Sequence, residues 1–307
     1  MSIGVVATQM AVIFAMMWIG YVTGRKEKIT KSTTEGLSFI IANIANPALM
    51  LSGALNKSGS VPIKNMLYMA IISIVLDAFL IILGIVMGYL VKAPREQKSF
   101  YNLMTVFGNS GMIGIPVVSA VLGTDALVYM GIFNVFYMFL MYTYGVGVLE
   151  HKNAGKTKLD MKRCFFNIGS IVSLISIVLF ACDMQIPYVI TETANYIGNS
   201  TCFLSILVIG VTMSKAPLSS VFGNPRLYIF TIIRHLAVPA LFLLVIKRIV
   251  SDTLVMNVCV LILCMPVANM PAILAEERKM DSTLLSEGII LTTILSLVFI
   301  PLITVMT

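Results

Sequence analysis

Long apolar runs separated by short polar segments form the basic pattern of this chain. Because a membrane-spanning helix needs about 20 apolar residues, we predict ten such helices, five on each side of a polar linker at 151–163. Their predicted bounds are 3–23, 36–55, 66–91, 100–122, 126–149, 166–183, 193–214, 227–247, 253–275 and 284–306. Five spans per half would insert the second half in the opposite orientation, as in secondary transporters with inverted repeats. The pattern predicts an all-α polytopic membrane protein with a 5+5 inverted repeat.

The fourth and ninth predicted spans contain residues that interrupt a straight helix. Glycine carries no side chain, and proline lacks a backbone donor and crowds the preceding turn. The interrupting residues are Gly108, Gly111, Gly114 and Pro116 in the fourth span, and Pro266 and Pro271 in the ninth. Backbone freed at membrane depth must be buried in protein or line a wet cavity. Interrupted spans at matching places in the two halves predict a transport site.

Amide and hydroxyl groups within these spans are the candidate substrate ligands. They are Asn109 and Ser110 beside Gly111 in the fourth span, and Asn269 beside Pro266 in the ninth. If the breaks fall near 108–111 and 266–267, each second half-helix begins inside the membrane with free N–H groups and roughly +0.5 of partial charge. Two such ends form an anion site without a buried Lys or Arg. We therefore expect a small mono- or dicarboxylate as the substrate.

Four amides inside other predicted spans are further candidate substrate ligands. They are Asn43 and Asn46 in the second, Asn134 in the fifth and Asn199 in the seventh. Asn43 and Asn46, like Asn195 and Asn199, are spaced so that both amides lie on one helix face. For the amides of the second and seventh spans two interpretations stay open, namely hydrogen bonding between helices and lining of the substrate cavity. Asn134 is expected to line the cavity beside the fourth span.

Two charged residues inside predicted spans are candidates for ion or proton coupling. Asp77 lies in the third span and Arg234 in the eighth. An intramembrane carboxylate is a functional candidate by default, as an ion or proton site or as the partner of a cation. Both roles stay open for Asp77, including a pair with Arg234.

Composition separates this chain from soluble proteins and from enzymes. It has 307 residues, of which 58% are hydrophobic and 11% charged, whereas soluble domains carry about 25% charged residues. Two His and five Cys show no metal-ligand spacing, and the spans contain no recognisable nucleophile–base pair. We expect no enzymatic activity, no metal and no cofactor.

The basic residues are distributed unequally between the two sides of the predicted membrane. Of the 21 Lys and Arg residues, 16 fall on the side of the linker and 4 on the opposite side, with Arg234 inside a span. The positive-inside rule then places the linker in the cytoplasm and both termini outside. The net charge of +7 accordingly reflects orientation in the plasma membrane and not nucleic-acid binding.

Three groups of residues give the chain its resemblance to a known family. They are Asn109, Gly111, Gly114-Ile115-Pro116 and Gly123 in the fourth span, Asn46-Pro47-Ala48-Leu49 in the second, and Met265-Pro266, Pro271 and Ala275-Glu276 in the ninth. In their order and spacing the sequence resembles the auxin efflux carrier family, bacterial permeases related to plant PIN-type carriers. The resemblance implies a fold like that of sodium/proton antiporters and bile-acid symporters, in which spans four and nine cross at their breaks.

The resemblance also implies a division into two functional parts. The scaffold would comprise 1–60 and 164–218, and the transport part 61–150 and 219–307, joined by the cytoplasmic linker 151–163. A homodimer through the scaffold helices is implied as well. Plant relatives carry a proline at the position of Gly108 and a long loop after the fifth span, which here is about a dozen residues. The resemblance therefore supports a carrier of this family, but it does not support auxin as the substrate.

The leading functional hypothesis is a carrier that moves a small organic anion by alternating access. The alternative is a sodium- or proton-coupled transporter of the same architecture with Asp77 as the ion group. An intramembrane enzyme is disfavoured because it would need a nucleophile–base pair or metal ligands at membrane depth.

Overall fold

The computed structural model describes residues 3–55, 62–152, 168–182, 186–215, 218–250 and 252–306. Within these ranges the regular elements are helical. The α-helices are α1 (Ile3–Arg25), α2 (Lys31–Ile40), α3 (Asn46–Leu55), α4 (Ile63–Leu90), α5 (Lys98–Val106), α6 (Ile115–Leu122), α7 (Ala126–Leu140), α8 (Val146–Lys152), α9 (Ile168–Cys182), α10 (Tyr188–Ser214), α11 (Leu218–Gly223), α12 (Pro225–Ile232), α13 (Val238–Ile246), α14 (Thr253–Cys264), α15 (Met270–Glu277) and α16 (Thr283–Val305). A short 3₁₀ turn, Arg95–Gln97, precedes α5.

Six continuous helices in the described ranges are long and apolar enough to cross a membrane. They are Ser32–Leu55, Ile63–Leu90, Ala126–Leu149, Tyr188–Ser214, Pro225–Ile246 and Thr283–Thr304. Each overlaps one of the ten spans predicted from the sequence. Shorter apolar helices at Ala11–Arg25, Ser110–Leu122 and Thr253–Cys264 fall within the first, fourth and ninth predicted spans. The chain is therefore a multi-pass helical membrane protein. The predicted linker at 151–163 lies almost wholly outside the described residues.

Four π turns interrupt the helices of the described chain. They are Ile41–Ala45, Ser110–Gly114, Met141–Gly145 and Ile233–Ala237. Three of them end within two residues of a proline, at Pro47, Pro116 and Pro239. Proline donates no hydrogen bond and its ring crowds the preceding turn, and a widened turn is one way in which a helix continues past such a residue. In this protein, prolines within spans are therefore accommodated mainly by π turns, and the helix continues past them.

The two interrupted spans lie at the centre of the fold. Every residue of α5 from Phe100 onward is buried, and so is every residue of α14 from Val255 to its end. A helix whose residues are buried on every face is surrounded by protein and not by lipid. For α14, this packing comes partly from α7, α13 and α16. The breaks that follow α5 and α14 are therefore shielded from lipid.

At the periphery, α1 and α10 pack in direct backbone contact. A Cβ atom added to Gly20 would collide with the carbonyl oxygen of Leu207, and one added to Gly210 would collide with that of Met17. Small residues let membrane helices approach closely enough for dispersion to hold them together. These glycines therefore serve helix packing.

Candidate functional site

The two helix breaks lie against each other as a short antiparallel pair. After α5 and α14 the chain is extended, and Gly108 pairs with Val267 in an isolated antiparallel bridge. The Asn109 N–H donates to the Pro266 carbonyl at 2.6 Å, and the Ala268 N–H donates to the Phe107 carbonyl at 3.0 Å. Non-helical backbone at membrane depth needs such partners. Each break thus supplies the hydrogen bonds that the other requires.

Proline accounts for the local geometry of the second break, and the first break does not depend on the small size of glycine. Met265 is extended, with φ −62° and ψ 135°, as expected for a residue that precedes a proline. A Cβ added to Gly108 would lie 3.4 Å from the Met265 carbonyl oxygen, an ordinary contact. Glycine at 108 is therefore not required for space, although the sequence suggested that the first break depends on it.

The other predicted break residues lie at the start of the second half-helices. Gly114 ends the π turn Ser110–Gly114, and Pro116 occupies the first turn of α6. Pro271 occupies the first turn of α15, where a missing N–H costs no helical hydrogen bond. These residues shape the helix starts, and the extended segments lie before them.

Asn109 caps the helical segment that follows the first break. Its Oδ1 accepts a hydrogen bond from the Met112 N–H at 3.1 Å, and the side chain is 6% exposed. Such a cap satisfies one of the donors that lack helical partners at a helix start. The amide NH₂ of Asn109 takes no part in this cap. The Oγ of neighbouring Ser110 is buried and has no hydrogen-bond partner.

The start of α15 faces this capped end across the crossing. The Asn269 carbonyl accepts hydrogen bonds from the Ala272 and Ile273 N–H groups, at 3.0 and 3.1 Å. Its side-chain Nδ2 lies 3.7 Å from the Met112 sulfur, in the first turn of the other half-helix. The two helix starts therefore meet, with Asn109 and Asn269 at the meeting point.

Of the four candidate amides in the other predicted spans, Asn46 is the one that reaches this place. A Cβ added to Gly111 would lie 3.8 Å from the Asn46 Nδ2, and the buried Asn46 Oδ1 has no hydrogen-bond partner. The side chains of Asn43, Asn134 and Asn199 are placed elsewhere. Asn43 donates to the Phe39 carbonyl of its own helix at 2.9 Å, and Asn199 is exposed. Asn134 donates to the Ser173 Oγ on α9 at 3.3 Å, a hydrogen bond between two helices.

Arg234 contacts both broken spans at the helix ends that precede the breaks, whereas the two helix starts follow the breaks. The residue is 1% exposed. Its Nε donates to the Thr105 carbonyl at 2.6 Å, and its Nη1 donates to the Leu263 carbonyl at 2.7 Å. Both carbonyls belong to the last turn of a helix, where they have no helical partner and the end carries negative partial charge. One guanidinium therefore caps α5 and α14 together.

Asp77 lies on α4, apart from the guanidinium that the sequence offered as its partner. Its side chain is 7% exposed and is one of the buried residues of that helix. No ion pair joins Asp77 to Arg234, although the structure describes both residues. Arg234 instead uses the two backbone carbonyls as its partners.

Thr292 is a site-adjacent residue that sequence reasoning missed. It is fully buried on α16, and its Oγ1 accepts a hydrogen bond from the Val267 N–H at 3.0 Å. The same hydroxyl donates to the Gly288 carbonyl at 2.7 Å. It supports the second break through a backbone donor. A threonine in an apolar span is too common a feature to reveal this role.

Comparison with known proteins shows which family this architecture represents. A family model described as "Membrane transport protein" matches residues 5–304. An uncharacterized transporter of Methanocaldococcus jannaschii is 26% identical over 297 residues, covering 95% of each chain. An uncharacterized transporter of Methanothermobacter thermautotrophicus is 23% identical over 308 residues, covering 94% of each chain. The chain therefore belongs to the membrane transport protein family, which confirms its resemblance to the auxin efflux carriers.

Proposed function

We propose that this membrane transport protein carries a small organic anion and moves it by alternating access. The observation that carries the proposal is the meeting of two helix starts, at Ser110–Gly114 and at α15, where two interrupted spans pair. Helix starts bind anions because their N–H groups and dipoles point at the ligand. The side chains beside them, Asn109, Asn269 and Asn46, are neutral amides.

The strength of such a site suits a carrier. Each helix end contributes about 0.3 to 1 kcal/mol to an exposed anion and up to ~2 kcal/mol when partly buried. One or two amide hydrogen bonds to a charged group add about 1.5 to 3 kcal/mol each. The total of roughly 2 to 10 kcal/mol, before binding costs are subtracted, allows affinities of about micromolar or weaker. A carrier must release its substrate, and binding in this range permits release.

The proposed architecture is the ten-span inverted repeat. The matched breaks support it, since each half contributes one interrupted span to the crossing. In this arrangement 61–150 and 219–307 form a transport part that moves against a scaffold of 1–60 and 164–218. The proposal also places both termini outside the plasma membrane, and it includes a homodimer through the scaffold helices.

Ion or proton coupling through Asp77 is the second candidate function. The supporting observation is a carboxylate that is buried on a spanning helix and does not pair with the buried guanidinium of Arg234. Intramembrane carboxylates in transporters commonly mark ion sites or proton relays.

Uptake into liposomes tests the proposed function directly. Purified protein is reconstituted and given radiolabelled malate, malonate, short aliphatic acids and indole-acetate, with their amides or methyl esters as competitors. We expect the acids to be transported and the neutral analogues to compete poorly. Equal competition by the neutral analogues would contradict an anion site. Imposed sodium and proton gradients show whether uptake is coupled, and Asp77→Asn should remove any gradient dependence.

A further inference from the structure

We infer that Arg234 is a positioning residue that gives the crossing its preference for anions, without touching the substrate. The inference rests on the proposed function, because it names the charge that makes that site selective. Its geometric basis is the pair of hydrogen bonds from one guanidinium to the Thr105 and Leu263 carbonyls.

The crossing contains two positive and two negative helix ends. Each end carries roughly half an elementary charge, positive at a helix start and negative at a helix end. The starts are Ser110–Gly114 and α15, and the ends are those of α5 and α14. Taken alone, the four ends sum to about zero, so an approaching anion would meet opposed fields.

The positive charge of Arg234 offsets the negative partial charges at the ends of α5 and α14. Its full positive charge lies against both negative ends, at 2.6 and 2.7 Å from their carbonyl oxygens. No carboxylate in the described part of the chain pairs with it, so its charge is available to the helix ends. The crossing is then left with a net charge of about +1, located at the two helix starts.

The same two hydrogen bonds fix the relative position of the breaks. Arg234 lies on the spanning helix Pro225–Ile246, and it holds α5 and α14 from one point. Planar guanidinium donors hold their partners in a defined geometry, which a lysine ammonium does less well. The two helix starts therefore keep one spacing for the substrate. The charge of Arg234 gives the crossing its preference for anions, and its two hydrogen bonds hold the breaks together from behind.

The distance to the substrate sets the size of the expected effect. About four residues of chain separate Thr105 from the first helix start, so the two lie within about 14 Å of each other. Loss of one charge at about that distance, in an effective dielectric of about 20, weakens anion binding about tenfold. Binding of a neutral analogue should change little, because it does not respond to the charge.

The test compares four variants by their KM for an acid and for its neutral amide in proteoliposomes. Arg234→Met and Arg234→Gln remove the charge, the latter keeping amide donors for the carbonyls. Arg234→Lys keeps the charge, and Arg248→Met is a control at an exposed arginine near the end of the same helix. We expect the acid-over-amide preference to fall about tenfold in the two neutral variants. It should persist in Arg234→Lys and Arg248→Met.

The outcomes separate this inference from the proposed function. A wild-type protein that does not prefer acids would overturn both. A wild-type preference that is unchanged in Arg234→Gln or Arg234→Met would overturn the inference alone, leaving Arg234 with a structural role. Equal loss of preference in Arg234→Lys and the neutral variants would also overturn it, since the effect would then follow hydrogen-bond geometry and not charge.

Discussion

Asn109→Asp separates the two tasks that Asn109 has at the crossing. The native side chain accepts a hydrogen bond from the Met112 N–H through Oδ1, at 3.1 Å, and we propose that its amide NH₂ faces the substrate. Aspartate keeps an acceptor for the cap but replaces the NH₂ donor with a negatively charged oxygen. Asn109→Ala removes both functions. The three side chains thus form a series in which fold stability and anion binding change differently.

The expected magnitudes follow from these contacts. Aspartate and asparagine are about equally good N-caps, whereas alanine costs roughly 0.5 to 2 kcal/mol. In Asn109→Ala, loss of an amide hydrogen bond to a carboxylate weakens binding by about 1.5 to 3 kcal/mol, or roughly 10- to 150-fold. In Asn109→Asp, two carboxylates about 4 Å apart repel by about 4 kcal/mol at an effective dielectric of about 20. Binding should then weaken by at least about a hundredfold.

The assay combines thermal unfolding in detergent with acid uptake in proteoliposomes. We expect the melting temperature to fall in both variants, through burial of a carboxylate in Asn109→Asp and through loss of the cap in Asn109→Ala. Acid uptake should be nearly abolished in the aspartate variant and reduced in the alanine variant. Asn224 provides a matched control, because its side chain caps α12 by accepting from the Arg226 N–H at 3.2 Å, away from the two breaks. Asn224→Asp should leave uptake unchanged. Wild-type affinity in Asn109→Asp would refute a substrate carboxylate at this position.

Four further substitutions test other parts of the structure. Gly108→Ala should leave uptake within about twofold of wild type, since the added Cβ makes only an ordinary contact; a severe defect would mean that this backbone must move. Gly210→Ala should lower the melting temperature without changing substrate preference, because its Cβ would collide with the α1 backbone; unchanged stability would contradict the close contact of α1 with α10. Pro266→Ala should reduce uptake more than expression, because α14 gains a donor with which to continue the helix; full activity would show that the paired segments keep the break open without the proline. Asp77→Asn should abolish any dependence of uptake on a sodium or proton gradient while substrate binding persists; a gradient effect of wild-type size would remove Asp77 from the coupling role.

The sequence alone determined the class of structure and the location of the breaks. Apolar run length follows directly from bilayer thickness, so the six continuous spanning helices appeared where the pattern predicted them. The effect of Pro266 on the residue before it is also local, since it arises from the proline ring and the adjacent backbone. Local steric effects of this kind act between chain neighbours, and a single sequence contains them.

The candidate site could be predicted in part. Asn109 and Asn269 were expected at the crossing because each follows a break within its own span, and the structure brings both there. Asn46 joined them, whereas Asn43, three residues earlier, bonds to its own helix. A three-residue spacing places two amides on the same general face. The π turn Ile41–Ala45 between them and the packing of that helix decide which amide faces the crossing.

Only the tertiary structure decided the long-range partners. Because α5 ends one residue after Thr105, the carbonyl of this residue has no helical donor. Its actual donor, Arg234, lies 129 residues further along the chain. The same applies to Val267, whose N–H donates a hydrogen bond to the hydroxyl of Thr292. In a membrane the apolar faces of helices pack about equally well against lipid or protein, so the hydrophobic pattern does not specify neighbours. The sequence therefore determines which backbone groups need a partner, and the packing of the helices determines which residue supplies it.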